Sequence, residues 1–273
     1  MSGVGKTVWK IAPGQEHFTN FLLQIHHTFP DHGTTIYKAR NELKEICIGS
    51  DVLVVKAFAI PIMLRRLIYG RLRQSKAQKS FENAMRLVAL GVTTPTPVGF
   101  IEHHRVSGLF LSFYVSHTWP NARTIRDPLT KPDYPNRLEI LECFGRFTWT
   151  LHQKGVYHRD FSPGNILFSS NIEPINTPES DTDNQPPVVA ELWQFCLVDV
   201  NRLKFETLSL NARMENLKML WADDQDLTII VSAYAKASGE EISSLVSKAM
   251  TFSWAHKARA SRKERIKTLL RLH

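Results

Sequence analysis

The chain has 273 residues, of which 43% are hydrophobic and 22% charged, and its formal net charge is +8. That balance excludes wholesale disorder and leaves enough apolar residues for a core, in one large domain or in two lobes. The excess of positive charge points to an anionic partner: nucleic acid, an anionic membrane or a phosphorylated substrate.

At the start, MSGVGKTVWKIAPGQ has no apolar h-region and does not read as a secretory signal. No segment approaches the roughly 20 uninterrupted apolar residues of a membrane span. Gly3-Val4-Gly5-Lys6-Thr7 has the ending of a P-loop, but the glycine five positions earlier and the strand before it are missing. The segment reads as a polar arm. Residues 34–58 predict strands. In the last of these, Val52, Val54, Lys56 and Phe58 alternate with Leu53, Val55 and Ala57. Gly49-Ser50-Asp51 reads as the hairpin turn before it, and Pro61 ends the pattern.

Residues 74–90 predict a helix, with Phe81, Ala84, Met85 and Val88 on one face and Gly91 as its stop. TTPTP then blocks helix, VGFIE resumes as a strand, and LFLSFYVS at 109–116 is another. The first 116 residues therefore predict a mainly antiparallel sheet with one helix. Pro128, Pro132 and Pro135 mark a break, and residues 136–154 form an apolar-striped helix. NILF at 165–168 and QFCLVDV at 194–200 are strand-like. The segment between them is rich in proline, asparagine and acid, the composition of a solvated insert. Residues 211–235 and 240–270 predict helices.

This order gives an α+β chain, with a sheet-plus-helix lobe over 1–116 and a reduced, mostly helical lobe over 117–273. The cleft between two such lobes is a natural ligand site. Cys47, Cys143 and Cys196 are odd in number and form no CxxC pair, so they read as reduced structural thiols. The pairs His26-His27 and His103-His104 lack metal-ligand spacing and read as surface residues.

Four pieces carry the chemistry. Lys56 lies in the strand VLVVKAF, and Glu82 in the following helix. Asp160 and Asn165 lie in GVYHRDFSPGNILF, and Asp199 in LVDVNR at the end of a strand. Phosphoryl transfer needs groups of these types, because its transition state spreads negative charge and catalysis is mostly positioning and charge stabilisation. A lysine can hold phosphates, with a carboxylate to fix it. An aspartate and an asparagine can offer oxygens to Mg²⁺. A second aspartate can accept the hydrogen bond of the acceptor hydroxyl.

The order resembles the two-lobed protein-kinase fold. That resemblance implies Asp160 as catalytic base, Asn165 and Asp199 as Mg²⁺ ligands, Lys56 as the ATP-phosphate lysine and Glu82 as its partner. Val54, on the strand face of Lys56, and Leu167, two residues past Asn165, would then touch the adenine. Several departures argue against a regulated protein kinase. No GxGxxG precedes Lys56, so the phosphate-covering turn must come from residues near 39–51. Ser162 stands where serine/threonine kinases carry lysine, Val200-Asn201 replaces Phe-Gly, and no APE-like anchor follows.

The closer resemblance is to the lipopolysaccharide core kinase family, which includes Kdo (3-deoxy-D-manno-octulosonic acid) and heptose kinases. It rests on YKARNELK at 37–44, VVKAF at 54–58, the stretch 65–102 ending TTPTPVGFIE, GVYHRDFSPGNILF, and LVDVNRLKF at 197–205. It implies ATP-dependent phosphorylation of a sugar hydroxyl on the Kdo-lipid A core acceptor, at the cytoplasmic face of the inner membrane. A protein serine/threonine or tyrosine kinase is the second reading. A nucleotide-binding pseudokinase is the third, disfavoured because Lys56, Asp160, Asn165 and Asp199 are all present. Residues 65–86 hold seven Lys/Arg against Glu82, and residues 256–273 seven more against Glu264. The second stretch, with Ile266, Leu269 and Leu270 on one helical side, suits an anionic membrane. A solubilising tail is the alternative for it. Nucleic-acid binding fits less well, since no recognised motif accompanies the charge.

Overall fold

The computed structural model describes residues 5–59, 74–105, 108–170 and 193–271, the last three without their side chains. The expected basic residues Arg65, Arg66, Arg71 and Arg73, the 171–191 insert, and the side chains of Leu269 and Leu270 lie outside that description. By contacts the chain divides into two units. One is Met1–Pro120 with Leu197–Leu203, and the other is Asn121–Cys196 with Lys204–His273.

The first unit is built on strands β1 (Thr7–Ile11), β2 (Thr34–Lys38), β3 (Glu42–Ile48), β4 (Asp51–Ala57), β5 (Pro97–Arg105) and β6 (Gly108–His117). They form one antiparallel sheet in the order β1-β5-β6-β4-β3-β2. The β3–β4 connection is the two-residue turn Gly49-Ser50, with glycine first at φ +61°, a backbone conformation that other residues adopt only with strain. Of the segment expected to be a polar arm, Thr7 begins β1, and residues 3 and 4 lie outside the described residues. Gly5 precedes β1, and a methyl there would lie 2.3 Å from the His104 carbonyl oxygen. His104 N–H in turn donates to the Lys6 carbonyl at 2.8 Å. The GKT string feeds an edge strand.

Two described helices flank this sheet, where the sequence pattern predicted one. Helix α1 (Thr19–Asp31) was missed. Phe18, Leu22, Ile25 and Phe29 carry its helical period, which the polar residues between them and Pro30 in its last turn obscure. These side chains pack on Leu53, Val55, Val98, Ile101, Phe113 and Val115. Each contributes about 1.5–3 kcal/mol by leaving water. Helix α2 (Lys76–Ala89) packs Ala77 and Phe81 with Phe58, Phe100 and Tyr114. Tyr114 alternates with Phe113 and Val115 along β6, so α2 lies on the opposite sheet face. Ser75 caps α2 by accepting from Gln78 N–H at 3.1 Å, and Gly91 at φ +61° follows its end. Its buried stripe is Ala77, Ser80, Phe81, Ala84 and Leu87, whereas Val88 is 52% exposed. The expected face was rotated by about one residue.

Of the paired histidines only His27 is exposed, and His26, His103 and His104 are half-buried. The His26 ring meets those of His27 and His103 at tilted angles, with ring centroids 3.9 and 4.4 Å apart. His104 Nε2 meets Glu102 Oε2 at 2.9 Å. Burial, reinforced by neighbouring histidines, lowers the pKa of both His26 and His103.

The second unit contains β7 (Arg123–Thr124), α3 (Arg126–Thr130), α4 (Arg137–Gln153), β8 (Val156–His158), β9 (Ile166–Ser170), most of β10 (Trp193–Leu197), α5 (Leu210–Leu217), α6 (Asp224–Ser238) and α7 (Ile242–Arg271). Helices α4 and α6 approach closely because Gly145 has no side chain. A methyl there would sit 2.3 Å from the Ile230 carbonyl oxygen. Arg137 forms an ion pair with the buried Asp226 across the same helices. The expected continuous helix over 211–235 is broken. Trp221 adopts φ +56°, and the Asp223 side chain captures the Asp226 N–H at 2.8 Å and starts α6 afresh. Cys143 and Cys196 are buried and Cys47 is exposed, and none is in a disulfide.

Candidate active site

The first unit carries one half of the expected constellation. Along β4, Leu53 and Val55 enter the core, so Val54 and Lys56 fall on the α2 face. Lys56 pairs across the sheet with Leu43 and Tyr114. Its Nζ lies 2.6 Å from Asp199 Oδ1, with the two side chains 13% and 32% exposed. Asn201 Nδ2 donates to the same oxygen at 2.5 Å. Asp199 sits at φ +53°, a left-handed position that aspartate and asparagine tolerate better than most residues.

Tertiary hydrogen bonds hold the Asp199 segment in place. Asn83 on α2 donates to the Val200 carbonyl at 2.7 Å. Thr94 donates to the Leu197 carbonyl at 2.8 Å, and Leu197 N–H donates to the Thr93 carbonyl at 3.0 Å. These bonds explain why LVDVNR, though distant in sequence, belongs with the first unit. They also give TTPTP a task, as the strap that seats it.

Glu82 does not meet the expectation placed on it. Gln74 and Gln78 each donate to its carboxylate at 2.8 Å, one to each oxygen. Lys56 takes Asp199 as its partner. The residue of α2 that reaches the site is Asn83, one position on. Lys76 in the first turn of α2 was also missed. Its pKa is lowered by burial and then by the charges of Arg40 and Arg202, with Asp199 acting in the opposite sense and Lys56 adding to the lowering. Lys76 thus feels three further cations, Arg40, Arg202 and Lys56, and one carboxylate, Asp199, a field suited to a polyphosphate. Arg40 lies in the turn between β2 and β3, where the Ala39 N–H donates to the Asn41 carbonyl at 3.0 Å.

The second unit carries the other half. Strand β8 delivers His158 into a fully buried position. His158 Nδ1 accepts from the Asp160 N–H at 3.1 Å, and Asn165 Nδ2 donates to the Asp160 carbonyl at 2.9 Å. The Asn165 N–H closes the turn onto the Ser162 carbonyl at 2.9 Å. Phe161 is buried against Phe144, centroids 5.8 Å apart. The Asp160 and Asn165 side chains remain half-buried, as does Leu167, while Arg159 is exposed.

Behind this loop runs a buried chain whose donors and acceptors can be assigned. Asn216 Nδ2 must donate to the His158 carbonyl, 2.9 Å away. Its Oδ1 therefore faces His152 Nε2 at 3.2 Å, which must carry the hydrogen. Burial holds the His152 ring neutral, its pKa lowered to about 4. Nδ1 is then bare and accepts from the Tyr234 hydroxyl at 3.3 Å. Every member of the chain is satisfied, which favours one conformation of the loop.

That arrangement carries an acid liability. The unfolded chain binds a proton on His152 near pH 6.5, and the folded chain only near pH 4. This group's stabilisation is therefore complete above about pH 6.5 and is lost as the pH falls towards about 4, roughly 3 kcal/mol in all. Denaturant midpoints should fall across that window, and His152→Gln should flatten the fall. An unaltered slope in the variant contradicts the assignment.

A family profile described as the lipopolysaccharide kinase (Kdo/WaaP) family matches residues 62–234. No curated protein matches the chain. Among solved structures, WaaP in complex with acyl carrier protein is similar at a TM-score of 0.58 and 15% identity, over 94% of this chain and 98% of that one. The Rio2 kinase–ADP/Mg²⁺–phosphoaspartate complex from Chaetomium thermophilum gives 0.45 and 13%, over 93% of this chain and 78% of its own. Glucosamine kinase in complex with glucosamine, ADP and inorganic phosphate gives 0.43 and 12%, over 93% and 70%. At such identities the likeness to WaaP is one of fold.

Proposed function

Because the chain belongs to the lipopolysaccharide kinase (Kdo/WaaP) family, we propose that it transfers the γ-phosphoryl group of ATP to a hydroxyl of Kdo or heptose in the lipid A–core region. The observation that carries this reading furthest is the Lys56–Asp199 ion pair, formed at 2.6 Å by residues 143 apart in sequence. Its setting among Arg40, Lys76 and Arg202 supports a polyphosphate ligand.

In this reading the Asp160 carboxylate accepts the hydrogen bond of the sugar hydroxyl and aims it at the γ-phosphorus. The sugar O–P bond forms as the bond from phosphorus to the β–γ bridging oxygen breaks, ADP leaves, and the hydroxyl proton passes to Asp160. Lys56, with Lys76 and Arg40, holds the phosphates, and Val54 and Leu167 contact the adenine. Glu82 takes no part in holding Lys56.

Among the described residues no three His, Cys, Asp or Glu side chains converge as a metal site. Mg²⁺ fits what is present all the same, since it keeps its waters and phosphate ligands and needs only one or two protein oxygens. Asp199 offers a carboxylate. Asn165 commits its Nδ2 to the Asp160 carbonyl, which leaves Oδ1 as its ligand atom. When bound, the ion would neutralise charge on the β- and γ-phosphate oxygens.

The acceptor is a membrane lipid, and α7 presents Arg259, Arg262, Lys263, Arg265 and Lys267, mostly exposed, against Glu264. That surface suits an anionic leaflet. No helix among the described residues is long and apolar enough to cross a membrane. One assay tests both ideas: labelled ATP with Kdo-lipid A or heptosylated core in anionic vesicles, beside a generic protein acceptor. Label should enter the lipid, and the enzyme should sediment with the vesicles. Label in protein alone sinks the sugar reading. Sedimentation unaffected by neutralising the α7 cations sinks the membrane role.

A further inference from the structure

Beside the catalytic loop lies an arginine that the reaction as written does not use. The Ile125 N–H donates to the Ile166 carbonyl at 3.0 Å, which anchors the chain running into α3 against the start of β9. Arg126 follows, and its guanidinium reaches back over the turn Ser162-Pro163-Gly164-Asn165. A methyl on Gly164 would lie 2.9 Å from Arg126 Nη2. Glycine therefore leaves the room that this guanidinium occupies, next to Asn165 and four residues from Asp160.

The charges around Arg126 are paired elsewhere. Asp127 is bonded by Lys131 at 2.7 Å, and Asp226 is taken by Arg137. Among the described residues no carboxylate pairs with Arg126, and its side chain is exposed. A planar guanidinium lying over the turn that follows Asp160 can take an oxyanion through two parallel hydrogen bonds. The phosphates of ATP already have Lys56, Lys76 and Arg40.

We propose that Arg126 binds an anionic substituent of the acceptor, a carboxylate or phosphate carried near the hydroxyl that Asp160 activates. This rests on the reading of the protein as a lipopolysaccharide-sugar kinase with Asp160 as base. Arg126 then acts as a specificity residue, selecting acidic or phosphorylated sugars over neutral ones. Lysine cannot replace it fully, because an ammonium lacks the fork geometry.

Steady-state kinetics on whichever of Kdo-lipid A and heptosylated core the wild type phosphorylates, varying acceptor and ATP separately, decide the matter. Arg126→Ala should raise the acceptor KM about 10–100-fold, the loss expected for a charge-assisted pair, with the ATP KM little changed. Arg126→Lys should recover only part of the loss. Gly164→Ala should raise the acceptor KM in the same direction but by less, since its methyl displaces only the far end of the Arg126 side chain. The source of the anion is read by repeating the measurement with the Kdo carboxyl methyl ester and with acceptor stripped of its lipid A phosphates. In the arm that removes the bound anion, loss of anion and loss of arginine should not add. An unchanged acceptor KM, an ATP KM rising in step, or full additivity in both arms overturns the proposal. A wild type that phosphorylates neither acceptor refutes the functional reading itself, and this inference with it.

Discussion

Asp160→Asn lowers phosphoryl transfer by about 10²–10⁴-fold, the usual contribution of a positioned general base, with ATP affinity close to that of the wild type. The substitution is chosen because it keeps the backbone bonds of the loop. Two bonds that position Asp160 run through its backbone, from its N–H to His158 and from Asn165 to its carbonyl, and both survive the substitution. Behind them, Asn216 still holds the His158 carbonyl. What the variant loses is the charge that takes the hydroxyl proton, with no change of size. Single-turnover transfer to lipid acceptor, with nucleotide binding measured in parallel, separates the two effects. Near-full transfer by Asp160→Asn removes Asp160 as the base. Equal losses in transfer and in ATP binding point instead to a structural role.

How much of this site could be read in the sequence depended on whether the determining interaction was local. The position of Lys56 follows from alternation along one strand, and the limits of α2 follow from Ser75 and Gly91. Both are set within a few residues. The turn from Asp160 to Asn165 is likewise closed from within, by the Asn165 N–H on the Ser162 carbonyl and the Asn165 side chain on the Asp160 carbonyl. The failures lie where distant segments compete. Glu82 has a plausible place for a lysine partner, but Gln74 and Gln78 lie within reach on its own side of the chain and claim both of its oxygens. No periodicity shows that Asn83 will bond Val200 across 117 residues, or that Thr94 will bond Leu197 across 103. The buried polar chain from Tyr234 to His158 draws on three separate helices. His152, Asn216 and Tyr234 carry no signal of it in isolation. Helix α1 was missed for a different reason: its three core positions, Leu22, Ile25 and Phe29, are correctly spaced, but polar residues dilute the stripe.

Asp199→Asn should weaken Mg²⁺-dependent ATP binding by about 100-fold or more, in line with loss of a charged metal ligand whose partners remain. Asparagine is the informative replacement. Asp199 holds φ +53°, which asparagine tolerates and alanine resists, so Asp199→Ala mixes lost charge with backbone strain. The fold should survive Asp199→Asn. The pair with Lys56 is partly solvated, with the aspartate 32% exposed, so breaking it costs about 1–2 kcal/mol, less than the 3–5 of a fully buried pair. Asn201 Nδ2 and Lys56 Nζ can both still donate to the amide oxygen. Lys56→Met gives the contrast. It keeps the carboxylate and removes a phosphate contact, so ATP binding should weaken while its dependence on Mg²⁺ persists. Nucleotide titrations with and without Mg²⁺ on the two variants therefore distinguish ion holding from phosphate holding. Undiminished Mg²⁺ dependence in Asp199→Asn would exclude the carboxylate as a ligand and leave it only the structural task of anchoring Lys56.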